Sequence, residues 1–536
     1  MEHRFNDDRF DRDKDRHDLA AVSGSIPARS RTLARRPINA RSGANSRVRI
    51  PALLRILTLA LMISPAAAIA QDYHAVNGSS EAGSLGVSNN PASIVNTPFA
   101  WDLTLFSAQA TTATNTITIY NFAFLAPTRN SQWAFSNGSQ SRFVAANLNM
   151  HLFNARIALD RQQAIAFGAD LRSYLHAKSS PFNYNDSLHD LNNFFNVNNP
   201  NNVYSVHSAS SSWLQLFGTY SRTLYDDGAH RLNAGVTLKY ARAISGAYAR
   251  LTNGAIQSHP RDAGDTSFYY TLKSADAQYG YSSNYDRWHN GQSTTQNLKD
   301  FLGNTQSGLG IDIGVEYLIK DGEPLTYSGR DAYYDYEWKI GVSLLDLGRK
   351  SYKYGYLSRS VGSPRAGVAD SILDGKLDGI GSLAAFNDSL AGILSASAPQ
   401  TGNFQLSDPT RLVINVDHYL GGDFFLNGEL SLNLGPSDAG NKLGVQEISL
   451  LTVTPRWETH RWGVYLPVQY NALDQFLVGL ALKGGPLLIG IHNVANLFGK
   501  STTQNGGGYI ALVIRSPHSI SASRDKRFRQ YDCPKN

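Results

Sequence analysis

Apolar side chains in this sequence recur at every second position, in segment after segment. In "RLNAGVTLKYA", Leu232, Ala234, Val236, Leu238 and Tyr240 share one face, while Arg231, Asn233, Gly235, Thr237 and Lys239 share the other. "GIDIGVEYLI" sets Ile311, Ile313, Val315, Tyr317 and Ile319 against Asp312, Gly314 and Glu316. "YEWKIGVSL" sets Tyr336, Trp338, Ile340, Val342 and Leu344 against Glu337, Lys339, Gly341 and Ser343. "FFLNGELSLNL" and the run from Trp462 to Ile491 repeat the pattern. Period two belongs to a strand, and a strand of this kind is apolar on one side only. No run of 18 or more apolar residues follows residue 70, so no segment reads as a membrane-spanning helix.

Two architectures are made of many amphipathic strands. In a soluble sandwich the apolar faces meet across a core. In a barrel spanning an outer membrane they face lipid, and the polar faces line a wet interior. Three features favour the barrel. Charges stand at mid-strand on the polar faces. Trp101, Trp213, Trp338, Trp457 and Trp462 lie in strand-like segments, most near an end, as in an aromatic girdle. Long and short connectors also alternate.

Candidate strands fall near 101–109, 115–124, 145–158, 163–174, 211–224, 231–243, 309–319, 334–346, 409–419, 423–434, 449–457, 462–470, 474–483, 486–492 and 508–515. Long connectors follow the fourth, sixth and eighth; short turns follow the third, fifth, ninth, eleventh and thirteenth. That is the plan of an outer-membrane barrel with its long loops extracellular. Single-chain bacterial barrels have even strand numbers, so one candidate is expected to be wrong. The first choices are 101–109, read as a plug element, and 145–158, whose apolar phase flips between Leu152 and Phe153 as a bulge would cause. The expectation is an all-β, closed antiparallel transmembrane barrel of about fourteen strands, with twelve or sixteen as alternatives.

Charge and composition agree. Of 49 Lys/Arg and 43 Asp/Glu, 13 and 7 lie in residues 1–70, leaving 36 of each downstream. A neutral body gives no nucleic-acid footprint. With 42% apolar residues the chain is far from the disordered class.

Residues 1–70 read as an extended leader plus secretory signal. Arg47, Arg49 and Arg55 precede "ILTLALMI", Pro65 and a small-residue site, with cleavage expected between Ala70 and Gln71. Either the start codon is placed too far upstream or the leader is long. The one cysteine, Cys533, allows no intramolecular disulfide. The division expected is 71–97 as an N-terminal plug-like segment, 98–515 as barrel and 516–536 as a basic periplasmic tail.

At "SLGVSNNPASIVN" the segment Asn90, Pro91, Ala92, Ser93 resembles the Asn-Pro-Ala segment of the barrel superfamily containing long-chain fatty-acid transporters and a type IX secretion barrel. Residues 409–434, 452–471 and 478–498 resemble an uncharacterised family of Bacteroidetes-type outer-membrane barrels, a family of unknown function. The resemblance implies a barrel in a Gram-negative outer membrane and no established activity. It also suggests Asn90 to Ser93 as a plug motif.

Chemical motifs are few. Gly421-Gly422-Asp423-Phe424 sits where a hairpin turn is expected. "GLGIDIG" (308–314) has glycines at the wrong spacing for a phosphate loop and lies within a strand. Nucleophile-elbow, zinc and paired Cys/His spacings are missing from the sequence, so no enzyme, cofactor or metal is expected. Asp312, Glu316, Glu337, Lys339, Glu429, Arg456 and Glu458 are candidate lumen-lining residues, read first as cross-strand pairs that fill the interior. Loops 178–209, 250–306 and 356–407 could bind ligand, fold inward, or stay disordered and solvated. Within the third, 368–394 has helical spacing and reads as one or two helices that could cap or plug the pore.

The function expected is a passive channel for small apolar or mixed solutes, in contact with the lipid bilayer. The alternative is a non-transporting barrel that meets a periplasmic or envelope partner through its basic tail.

Overall fold

The computed structural model describes residues 74–123, 131–185, 188, 190–198, 202–262, 267–289, 291–320, 332–436, 442–498 and 501–516. The leader, Ala70, Gln71, Cys533 and all of the basic tail beyond Ser516 lie outside the described residues.

Fourteen strands close a barrel: β1 (Trp101–Thr114), β2 (Gly138–Ala158), β3 (Gln163–Tyr184), β4 (Tyr204–Asp226), β5 (His230–Pro260), β6 (Gln306–Ile319) and β7 (Trp338–Lys353). Then come β8 (Arg411–Gly421), β9 (Phe424–Asn433), β10 (Leu450–Glu458), β11 (Trp462–Tyr465, resumed at Val468–Asn471), β12 (Phe476–Val478, resumed at Leu480–Gly484), β13 (Leu487–Ile491) and β14 (Asn505–Arg515). Each pairs antiparallel with its sequence neighbour, and β14 returns to β1 from Asp102↔Arg515 to Ala113↔Asn505. Closure leaves no open edge, so the wall's ladder hydrogen bonds are made strand to strand, as a membrane-spanning sheet requires. Among the described residues, no helix is long and apolar enough to cross a membrane.

The alternation read from the sequence decides the faces. Leu238, Leu309, Ile313, Val453, Val464, Leu482 and Ile489 are exposed outward, while Asn233, Asp312, Asp417, Thr454 and Gln469 are buried inside. Moving a leucine from water to a lipid contact contributes about 1.5–3 kcal/mol, so a belt of dozens of such residues fixes the barrel in a bilayer. Trp101, Trp338 and Trp462 are exposed in this belt, all at strand ends on the short-turn side, as a girdle requires. Trp213 is a correction: it is buried in the lumen, stacked on Tyr174 with ring centroids 5.4 Å apart.

The surplus strand is 115–124, which is neither of the segments suspected. Segment 101–109 is a true barrel strand within β1. Instead Ile117–Phe122 pairs with Gln132–Phe135 and Ser501–Thr503 in a separate three-stranded sheet beyond the barrel. Segment 145–158 does carry the expected bulge: the β2–β3 register shifts between His151 and Phe153, so Leu152 and Phe153 both face outward.

Turns 159–162, 227–229, 422–423, 459–461 and 485–486 join strands at one end, with both Trp101 and Arg515, and so does the one longer connector there, 320–337. Connectors 115–137, 185–203, 261–305, 354–410, 434–449 and 492–504 lie at the other. At that second end β2 to β5 rise well beyond the belt; β5 has 31 residues. Loop 250–306 holds a strand that was not expected, Phe268–Tyr281, paired with Ala247–Pro260 of β5 and with Arg359–Pro364. Among the described residues, helices at this end are α1 (Leu191–Val197), α2 (Thr294–Gly303), α3 (Asp370–Leu377), α4 (Leu383–Ile393) and a single turn, α5 (Ala495–Phe498).

Candidate functional site

Residues 74–99 enter the lumen, where most of them are buried. Two 3-10 turns, Gly83–Ser88 and Pro91–Val95, are joined by Asn90. Asn90 caps the second turn: its Oδ1 accepts from the Ala92 N–H at 2.9 Å, and its Nδ2 donates to the Val315 carbonyl at 2.9 Å. The Ser93 hydroxyl donates to the Asn90 carbonyl at 2.8 Å. Pro91 at the first turn position needs no N–H partner and presets φ. The wall opposite is glycine. Gly235 and Gly314 pair across β5 and β6, and Gly341 follows on β7. A Cβ on Gly235 would come within 2.5 Å of the Pro91 carbonyl group. The segment therefore sits in a notch that only glycine leaves open.

Six of the seven charges expected in the lumen are there, each satisfied by pairing. Glu429 accepts from His74 (2.9 Å), Asn77 (3.2 Å), Asn89 (2.8 Å) and Asn415 (3.2 Å), three of them on the inner segment. Arg456 makes two bonds to Asp417 at 2.6 and 2.7 Å and one to Glu458 at 3.2 Å. Glu458 also accepts from Ser79 at 2.6 Å and Tyr465 at 2.5 Å, and Lys483 bridges it to Glu81. Glu316 accepts from Asn233 at 3.1 Å with Lys339 at 3.9 Å, and Asp312 lies 2.6 Å from Lys239.

Glu337 departs from the expectation. It lies just before β7 at the short-turn end, half-buried, where its backbone joins Ile319 and Tyr419. Buried charges persist only when paired, and each of the other six has a partner on the wall or on the inner segment.

The sequence reading missed Arg156, Arg172 and Asp346. Arg156, fully buried, donates to the carbonyls of Ile94 (2.5 Å) and Phe99 (2.8 Å) and to Asp102 (3.4 Å), clamping the inner segment where it turns into β1. Arg172 holds Asp346 from across the barrel. The void between Val87 and these pairs is about 30 Å³, room for one or two waters. Above it Tyr174, Trp213, Tyr248, Tyr352 and Phe404 fill the lumen.

A larger, apolar cavity is elsewhere. Ala243 pairs with Trp213 but Ser245 pairs with Ser212, so β5 has a bulge at Ile244 and its phase changes. Tyr248 now points inward, and Ala247, Ala249 and Leu251 take the face that lower down meets lipid. Leu175 and Ala177 of β3, Val206 of β4 and Ala277 and Tyr279 of the added strand extend that apolar face. The helices cover it, so the expectation that 368–394 caps the pore is corrected: α3 and α4 lie on the outer side of the sheet.

Their caps fix them. Asp190 accepts from the Asn193 N–H at 2.7 Å to start α1, and Ser382 accepts from the Ala385 N–H at 3.1 Å to start α4. Asp370 of α3 accepts from the Tyr270 N–H at 3.1 Å, tying cover to sheet. Phe194, Phe195, Leu373, Leu377, Phe386 and Ile393 turn inward. Between cover and sheet remains an apolar cavity of about 260 Å³, near the lower end of the roughly 300–1,000 Å³ of small-molecule sites. The Tyr279 hydroxyl in its wall donates to Asn387, and burial pushes its pKa up to about 12. Among the described residues no cluster of His, Cys, Asp and Glu could hold a metal ion.

A closed antiparallel wall, an apolar exterior, a polar interior and connectors that are mostly long at one end and mostly short at the other define an outer-membrane β-barrel. The chain belongs to a family described as of unknown function (DUF5723), whose model matches residues 91–491. No curated protein matches it. Similar solved structures include a FadL homologue from Pseudomonas aeruginosa (12% identity, 83% of this chain and 99% of that one, TM-score 0.37). They also include the toluene transporters TbuX of Ralstonia pickettii (10% identity, 81% and 94%, TM-score 0.34) and TodX of Pseudomonas putida (10%, 85% and 96%, TM-score 0.35).

Proposed function

We propose that this protein is a passive outer-membrane barrel for small apolar solutes, which it first binds in the cavity beneath α1, α3 and α4. The cavity carries the reading: it is enclosed by leucine, phenylalanine and alanine side chains, and an apolar void of this size is dry and open to an apolar guest. The barrel chemistry adds no reacting group. Residues 74–99 act as the plug, since they fill the lumen below the aromatic cluster and are held by hydrogen bonds and ion pairs that can exchange. Solute passage needs that segment to shift.

Binding and flux test this on the folded barrel. A fluorescent aromatic hydrocarbon should bind saturably to the detergent-purified protein, and proteoliposomes should take up the same compound faster than protein-free vesicles. A sugar of similar size should show neither effect. Absence of saturable hydrocarbon binding would remove the reading.

A further inference from the structure

We propose that the outer wall at β5 to β7 binds the phosphorylated headgroup of an outer-leaflet lipid. The site follows from register. Arg242 is flanked by Ala241 and Ala243, both buried in the lumen, so it points outward and is exposed. Arg349 precedes Lys350, whose ammonium lies inside over the Trp213 ring, so it too points outward and is exposed. Arg242 pairs with Ser307 of β6, and the β6–β7 register, with Gly348 opposite Gly310, sets Arg349 beside Leu309, so the two arginines flank a single strand and are staggered by two residues along it. Two strand spacings combined with that stagger make a backbone gap of roughly 12 Å.

Each guanidinium is oriented by one bond, Arg242 Nε to Thr305 at 2.8 Å and Arg349 to Gln405 at 3.2 Å. Each guanidinium keeps further N–H donors on its planar fork, the geometry that suits phosphate. On the side toward the short turns, the same panel is lipid-facing and unusually bare: Leu309 is 73% exposed and Leu238 63%. The arginines thus mark the upper edge of the apolar belt, at headgroup level on the long-loop side. Acyl chains lie over Leu238 and Leu309, and the phosphate lies between Arg242 and Arg349. The inference rests on the barrel's place in a membrane and is independent of the apolar cavity.

The test uses delipidated, folded full-length barrel in detergent, with bound lipid read by native mass spectrometry. Wild type should bind added diphosphoryl lipid A. R242Q/R349Q should bind it at least tenfold more weakly, R242K/R349K should recover part of the loss, and dephosphorylated lipid A should bind wild type no better than the double variant binds the intact lipid. The single variants give intermediate losses and supply the answer if the double variant does not fold, as judged by gel mobility before and after boiling. Equal binding by wild type and the glutamine variants, equal binding of dephosphorylated lipid, no binding of added lipid A, or displacement by millimolar inorganic phosphate each overturns the proposal.

Discussion

The side-chain amide of Asn90 donates to the backbone carbonyl of Val315 at 2.9 Å, across a wall made of Gly235, Gly314 and Gly341. The inner segment is therefore fitted against backbone, which cannot yield as a side chain can.

Placing a methyl group in that wall should unseat the segment. In Gly235→Ala the new Cβ meets the Pro91 carbonyl group at 2.5 Å, and overpacking of this kind costs about 1–3 kcal/mol. Planar bilayers should show more frequent current steps for the variant than for wild type, and protease should cut 74–99 faster in the folded barrel. Identical traces and cleavage rates would mean that the notch is not tight.

Arg156 should be the most sensitive single residue of the lumen. Arg156→Ala removes the donor to Ile94 and Phe99 and leaves Asp102, which is 1% exposed, without its ion pair. Losing one member of a buried pair costs about 3–5 kcal/mol. The urea midpoint of unfolding in detergent should fall accordingly; a shift within error of zero would contradict the clamp.

The cavity makes a paired prediction. Ala277→Trp fills it and should weaken hydrocarbon binding about tenfold or more, an effect of ~1.4 kcal/mol or above, with little change in the temperature at which the barrel unfolds. Phe386→Ala instead empties the cover and should loosen α4 by about 3–5 kcal/mol. Fluorescence titration separates the two, because the first variant keeps its cover and the second does not.

Alkali should open the cover. In the unfolded chain the Tyr279 hydroxyl ionises near 10, but in its buried place only at about 12. Between those values the unfolded form has lost a proton that the folded form still keeps, so stability falls as pH rises from 10 to 12 and then levels off. Hydrocarbon binding should decline across that window, and Tyr279→Phe should flatten the decline. An unchanged slope in the variant would assign the effect to other tyrosines.

Much of the fold was legible because a strand's faces are set by its own residues. Alternation at Leu232 to Tyr240 or Ile311 to Ile319 states which side meets lipid before any partner is known, and the flip at Leu152 and Phe153 announces its bulge. The turn at Gly421, Gly422 and Asp423 was equally plain, and all three have positive φ. Segment 115–124 was misread because alternation is local and pairing is not: Ile117 and Ile119 have a strand's pattern, yet their partners are Phe135 and Trp133 outside the barrel. The lumen charges other than Glu337 were legible as inward-facing, whereas their partners on the inner segment, His74, Ser79 and Asn89, lie hundreds of residues away.

By itself, then, the sequence determined the class of protein: period two, the excess of long connectors at one end and the absence of long apolar runs leave little but a barrel in a bilayer. Only the tertiary structure decided what the barrel holds and where it is open. The one-residue bulge at Ile244 moves Ala247, Ala249 and Leu251 to the outer face and Tyr248 to the inner. Since a side chain's face reverses with each residue of register, that single insertion fills the lumen with rings and puts the apolar cavity outside it.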